Sequence, residues 1–515
     1  MPPSHRSLLL ALALPALGCT SAASVCGCHP YDCRQTLQCG SDPDLEEQPP
    51  GDACIADPAS RRAEDRCGVF VSSSLGSDDN PGTRAQPVRS MEQAIALAQG
   101  GPKRVYACAE TFTDPVMLPS GIELWGGLDC TNDWVYLGGD RRTILAPASD
   151  LIPLRVDAGP GSSIVADVRA EAADATEPSG SSIAVMVLAG AAVEFLRSEL
   201  SAGHGAPGLP GESGGTGPAQ AGTTGANGLA ACSAVVVQGG AEVETVCGDL
   251  RSVGGQGGQG GINAGSDGLD GQPEPVPNPQ GFGFGGDGET SAQQCRSGEE
   301  GKEGTAGAHG FGGSGIGRIS SSGWRGEHGQ DGVDGLPGQG GGGGGGRLGG
   351  PFLCGVNMNR GGAGGGSGGG GGCGGRGGMG GGYGGASIGL IALSGDVALR
   401  ASSIITGRGG DGGTGGILQT GGTGGAGGVG GNAFSAAPEG CDGGKGGRGG
   451  NGGNGAGGLG GLSVGIAHPG GVTVTQEEVV IEIGEPGRGG LGGNPAIPGS
   501  TGEDGTAAAV LSFAQ

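Results

Sequence analysis

Fifteen cysteines stand in this chain of 515 residues, and a thiol can serve as a disulfide partner, a metal ligand or a nucleophile. Cys26, Cys28, Cys33, Cys39, Cys54 and Cys67 crowd one stretch, while Cys108, Cys130, Cys232, Cys247, Cys295, Cys354, Cys373 and Cys441 are spread along the rest. Cys19 closes an apolar run near the N-terminus. Setting it aside leaves an even number, as a disulfide framework in an oxidising compartment requires. Zinc would need CxxC pairs recurring at finger spacing, and none recurs. The fourteen remaining thiols are therefore expected to form disulfides, with their pairing left open.

Acid–base chemistry has fewer candidates. Polysaccharide cleavage needs paired carboxylates, or a base with cation-binding acids, on one exposed face. Glu194, Glu242 and Glu244 are candidate outward acids, but a solvated strand face explains them better. Asp129, Asp133 and Asp140 sit near Trp125 and Trp134, the most carbohydrate-like cluster in the chain. Turn chemistry and a packed first layer explain that cluster better. The histidines His5, His29, His204, His309, His328 and His468 are scattered, and no Cys/His or Ser/His/Asp set emerges. GxGxxG matches are trivial in glycine-rich sequence. No catalytic, metal or cofactor site follows from these residues.

The N-terminus reads MPPSHRSLLLALALPALGC. Its apolar run is too short to span a bilayer, which takes about 20 residues, and the basic start marks it as an export signal. ALGC resembles the lipobox of bacterial lipoproteins, with Ala16 where that family usually has Leu. The resemblance implies lipidation of Cys19 and a membrane partner held through acyl chains; cleavage after residues 21–23 is the alternative. A net charge of −24 argues against nucleic acid, which calls for clustered Lys and Arg, and against a polybasic membrane patch.

The elements that must carry these residues are short. After Cys67 come a brief strand, the turn sequence GSDDNPGT and a helix opened by Ser90 three residues before Gln93, the spacing of a capping box. Met91, Ile95 and Ala98 share its apolar face. This order, over roughly residues 68–150, resembles the start of right-handed parallel β-helix proteins of the pectin-lyase-like class. Internal repetition extends the reading. SIAVMVLAGAAVEFLRSELSAG from Ser182 aligns without a gap on CSAVVVQGGAEVETVCGDLRSVG from Cys232. Further copies begin at Ser387 and Ser463, with a plausible earlier relative at Leu151. Stacked in parallel at about 4.8 Å per layer, these units place Val185, Val235, Leu390 and Ile466 in one ladder and Val193, Val243, Val397 and Val472 in another. The expected class is all-β, a right-handed parallel β-helix (solenoid) with an N-terminal capping helix and long Gly-rich insertions between coils. The expected divisions are a signal region 1–23, a Cys-rich stalk 24–67, coils 68–202, a coil at 232–253 within Gly-rich loops 203–385, and C-terminal coils with Gly-rich loops 386–515.

Glycine supplies 132 residues, about a quarter of the chain, mostly in tracts that follow the last strand of each unit. Segments 205–217, 298–313 and 326–341 keep a Gly-X-Y phase, but they are too short, interrupted and proline-poor for a collagen triple helix. Asp rarely falls in the phase of a calcium β-roll. Gly-Gly-X tracts such as GGTGGAGGVGG can bundle as polyglycine-II-like segments, and they resemble the glycine-rich repeats of mycobacterial PGRS proteins; a disordered halo is the other reading. The functional expectation is an exported, cell-surface-anchored structural or adhesive lipoprotein, a non-catalytic scaffold whose loops meet an extracellular glycan or matrix. The alternative is an extracellular polysaccharide-active enzyme of the pectin-lyase-like type. Ice-contacting material is a third reading, and it would require a flat, regular glycine face.

Overall fold

Backbone pairing divides the chain into parallel sheets and a separate body of glycine segments. The computed structural model describes residues 54, 56–139 and 141–514. The expected signal region and Cys19, together with Cys26, Cys28, Cys33, Cys39, His5, His29 and Asp140, lie outside the described residues.

The first sheet orders Val69–Val71, Arg104–Cys108, Glu123–Asp129, Ser163–Ala166, Ala192–Leu196, Asp396–Arg400 and Val474–Glu477, with Val135–Tyr136 antiparallel on Glu123–Asp129. The second orders Thr111–Phe112, Thr143–Leu145, Val168–Ala172, Glu199–Ala202, Ser403–Thr406 and Val480–Glu482. The third orders Val116–Pro119, Leu154–Asp157, Ser182–Val187, Ser387–Ala392, Ser463–Pro469 and Ala507–Phe513. Like residues meet across each ladder. Val116, Leu154, Val185, Leu390, Ile466 and Val510 are successive partners in the third sheet. Leu145, Ala170, Leu200, Ile404 and Ile481 are successive partners in the second. All of these except Val510 belong to one cluster, buried but for the partly covered Ile481, each contributing about 25 cal/mol per Å² of apolar surface removed from water. The helix Met91–Gly100 covers the first strands, with Met91, Ala94, Ile95 and Ala98 buried and Ser90 Oγ accepting from the Gln93 N–H.

The expected single solenoid is corrected by this arrangement: the strands lie in several separate parallel sheets and two antiparallel hairpins. The unit at 232–253 shows the physical reason. It joins no ladder; Val243–Cys247 and Leu250–Gly254 close on each other as a hairpin with Gly248 at φ +63°. Alternation of side chains suits antiparallel pairing as well as parallel, and a two-residue turn closes far more cheaply than a long loop. Val235, expected beneath Val185, is 59% exposed. In the first sheet Val193 pairs with Val397 and Val397 with Val474, so that Val243 and Val472 have no place in this ladder.

The glycine tracts are neither disordered nor simple insertions. Their backbones bond to one another at every third residue. The N–H groups of Gly205, Gly208, Gly211 and Gly214 donate to the carbonyls of Arg408, Asp411, Thr414 and Ile417. Those of Gly298, Gly301, Gly304 and Gly307 donate to Asp442, Lys445, Arg448 and Asn451. A period of three without bonds inside the segment is that of an extended threefold helix of the polyproline II type. Each segment is therefore a thin rod, and rods pack side by side.

Glycine content per triplet follows the number of neighbouring rods. Residues 340–346 are all glycine. Their N–H groups donate in rotation to 266–272, 366–369 and 296–299, and their carbonyls accept from 255–258, 286–289 and 441–444. With six neighbours no direction is free: a Cβ on Gly343, Gly344 or Gly345 would run into the carbonyl oxygen of Gln256, Cys441 or Asp287 respectively. Segment 409–431 is Gly-Gly-x apart from Leu418 and Gln419, and from Thr414 to Val429 it exposes one residue in three. The Gly-X-Y segments lie at the bundle surface, where two positions of each triplet can carry side chains. Gly343→Ala is expected to destabilise the protein by about 1–3 kcal/mol, as overpacking does, while Thr423→Ala on an outward position changes it by less than about 0.5 kcal/mol; thermal unfolding of the two variants distinguishes them.

Near the first strands, burial pushes the Glu110 carboxyl up, but hydrogen bonds donated by Ser74, Ser73 and Ser72 outweigh it and hold it below the usual range. A depressed folded-state value contributes stability above the unfolded pKa, about 4.3, and that stability is lost as pH falls through the folded value. Glu110→Gln should therefore flatten the acid limb of a plot of melting temperature against pH.

Candidate binding surface

All ten described cysteines pair: Cys54–Cys67, Cys108–Cys130, Cys232–Cys354, Cys247–Cys373 and Cys295–Cys441. The last three staple the bundle, tying rods to the turn Pro351–Cys354, to the hairpin and to each other. Five disulfides point to an extracellular or otherwise oxidising environment. Among the described residues no helix is long and apolar enough to cross a membrane.

The acids singled out by type do not converge. Glu194 pairs with Arg400 at 3.2 Å and Glu244 with Arg251 at 3.5 Å, in different parts of the structure, and Glu242 is exposed beside the hairpin. Trp125 and Trp134 are buried against Phe70 and Tyr106, so neither offers a ring to a sugar. Their indole N–H groups donate to Glu123 and to the Arg84 carbonyl. Asp129 accepts from Thr131, and Asp133 pairs with Arg62 and Arg84. His204 and His309 accept backbone N–H groups of neighbouring rods, from Arg408 and Asn454. His328 packs edge-on against Tyr383 at 4.9 Å, and His468 lies against the Pro469 carbonyl. Among the described residues no group of three or more His, Cys, Asp or Glu could hold a metal ion.

What the bundle does assemble is a surface. Residues 213–241 and 412–438 contain no Asp, Glu, Lys or Arg. The structure lays these two stretches side by side: Gly214, Ala219, Gly222, Gly225 and Gly228 donate to Ile417, Thr420, Thr423, Ala426 and Val429. One segment exposes Ser213, Thr216, Thr224 and Asn227; the other exposes Thr414, Ile417, Thr420, Thr423, Ala426 and Val429. On each rod the side chains recur about every 9.3 Å, three residues at 3.1 Å. Acidic side chains collect elsewhere, with Glu299, Glu300, Glu303, Glu327, Asp331 and Asp334 exposed on rods 298–313 and 326–338. No family model, curated protein or solved structure matches this chain. The surface must therefore be understood from its own chemistry: uncharged, and carried on backbone that is hydrogen-bonded to its neighbours at intervals of three residues.

Grooves open on the bundle, and two of them are the widest described. One, of about 460 Å³, is lined by Leu209, Pro210, Glu212, His328, Met379 and Tyr383. The other, of about 510 Å³, lies beside the Cys247–Cys373 bridge and is lined by Val246, Leu250, Leu336, Pro337 and Arg376.

Sequence reasoning passed over a set of side chains that help to hold the rods. Asp331 and Asp334 accept the N–H groups of Gly380 and Gly377; Asp267 and Asp270 accept those of Gly288 and Gly285; Asn451 and Asn454 accept those of Gly421 and Leu418. Each pair is three residues apart and so lies on one line of its rod, and each carboxylate or amide supplies an acceptor to a backbone donor of the next rod. The signal was the i, i+3 recurrence of Asp or Asn within a glycine phase, which is visible in the sequence but was compared only with a calcium pattern. Replacing Cys295 and Cys441 by Ser, which opens a loop of sequence separation 146, is expected to lower the unfolding free energy by about 2–5 kcal/mol in chemical denaturation.

Proposed function

We propose that this chain is an exported, non-catalytic structural or adhesive protein, held at a cell surface through lipid on Cys19, whose glycine bundle meets an uncharged extracellular glycan or matrix polymer. The observation that carries the reading is the pairing of 213–241 with 412–438, two uncharged stretches brought into register on one bundle. A rod fixed by neighbouring backbones presents its outward side chains without paying to order them on contact, and many weak contacts in register sum to firm attachment. The disulfides fit the compartment in which such a polymer would be met. Intact mass of the mature N-terminus tests the anchor.

Attachment is tested by co-sedimentation with insoluble neutral polysaccharides, cellulose and chitin, beside an anionic one. The expected result is retention on a neutral polymer that is insensitive to salt, since no ion pair is screened. Thr420→Glu with Thr423→Glu should weaken it about tenfold or more with the circular dichroism spectrum unchanged. Retention by neither neutral polymer, or undiminished retention of the double variant, counts against the reading.

A further inference from the structure

The two ends of the sheets differ. At one end the helix Met91–Gly100 packs over Val69–Val71, Arg104–Cys108 and Val116–Pro119. At the other, the last strand of each sheet, Val474–Glu477, Val480–Glu482 or Ala507–Phe513, has a neighbour on one side only among the described residues. An unpaired strand edge is a template for another strand, and proteins ordinarily blunt it by brevity or charge. Two of these three edges are blunted: they are short, and Glu477, Glu478, Glu482 and Glu485 stand exposed on or beside them. The third, AAAVLSF, is seven residues long and uncharged. Its Val510 follows Ile466 in the apolar ladder yet is 42% exposed, with no strand beyond it among the described residues.

We propose that Ala507–Phe513 is the docking edge for a second copy of this chain, the two strands pairing antiparallel about a two-fold axis at Val510. The strand is self-complementary in size. With Val510 opposite its twin, Phe513 lies opposite Ala507, Leu511 opposite Ala509 and Ser512 opposite Ala508, so the two bulkiest side chains of each strand meet alanines on the other. An isologous contact of this kind closes at two copies, and at the far end of the same sheet the helix packs on the edge strand Val116–Pro119. Pairing covers Val510 and shields Val480 and Ile483, which are 57% and 40% exposed at the same end. The acidic edges of both copies approach one another beside the paired strands. Their repulsion confines strand pairing to the uncharged edge and is relieved by salt.

Sedimentation equilibrium of the full, oxidised chain tests this. The expected result is a monomer–dimer equilibrium that tightens with added salt, and that Val510→Lys weakens about tenfold or more without lowering the melting temperature at dilutions where both chains are monomeric. Val510→Cys, which keeps the size and adds no charge, should cross-link two copies on oxidation, whereas Thr475→Cys on the acidic edge should not; this pair decides the matter if the lysine variant fails to fold. A chain that stays monomeric up to about 100 μM, a dimer untouched by Val510→Lys, or equal cross-linking at positions 475 and 510 overturns the proposal.

Discussion

The approach of one peptide backbone to another, closer than a methyl group permits, is the constraint on which this molecule depends. Glycine gives up more conformational freedom on folding than any other residue and buries no side chain in return. A body made of it can be stable only if nearly every buried N–H and carbonyl finds a partner. The rods achieve this by rotation: three residues per turn aim successive donors at three neighbours, as Gly343, Gly344 and Gly345 do toward Leu269, Gly366 and Arg296. The three bundle disulfides restrict the unfolded chain where its freedom would otherwise be greatest.

Sheets and bundle are coupled by matching spacing. Strands in a sheet lie about 4.8 Å apart, and the chain leaves the second sheet at Ala202, Thr406 and Glu482, three successive strand ends. The segments that follow are adjacent as well: Gly205 donates to Arg408 and Gly409 to Glu485. Return segments re-enter the third sheet at Ser387, Ser463 and Ala507. The apolar ladders thus set the register in which the first rods are laid down, and later rods build outward from them. Rigidity of the uncharged surface comes from this continuity.

Local features were legible in the sequence wherever one residue type has one cheap solution. Ser90 and Gln93 announce the start of a helix, and the kinship of Ser182, Ser387 and Ser463 announces adjacent strands. The segment from Cys232 carries the same alternation and was read the same way. Alternation records which side chains share a face, and it is silent on whether the partner strand runs parallel or antiparallel. Order in the glycine tracts was only one of the readings open, because composition is the same for a bundle and a random chain; the decision lies in the relative phase of tracts far apart in sequence. The uncharged surface was illegible for a related reason. Residues 213–241 and 412–438 are unremarkable separately, and become a surface only once Gly222 is known to face Thr423. Trp125 and Trp134 serve packing, Asp129 a turn, and Glu194, Glu244 and Asp133 ion pairs with arginines.

The direction of the rods has a mechanical consequence. Tension applied along a rod such as 361–385 is borne by all its lateral hydrogen bonds loaded together in shear, on several sides at once. Tension across the rods would open the same bonds one after another, as a zip, until it met Cys247–Cys373 or Cys295–Cys441. The molecule is built to be strong in one direction and to yield by steps in the other, a grain like that of wood.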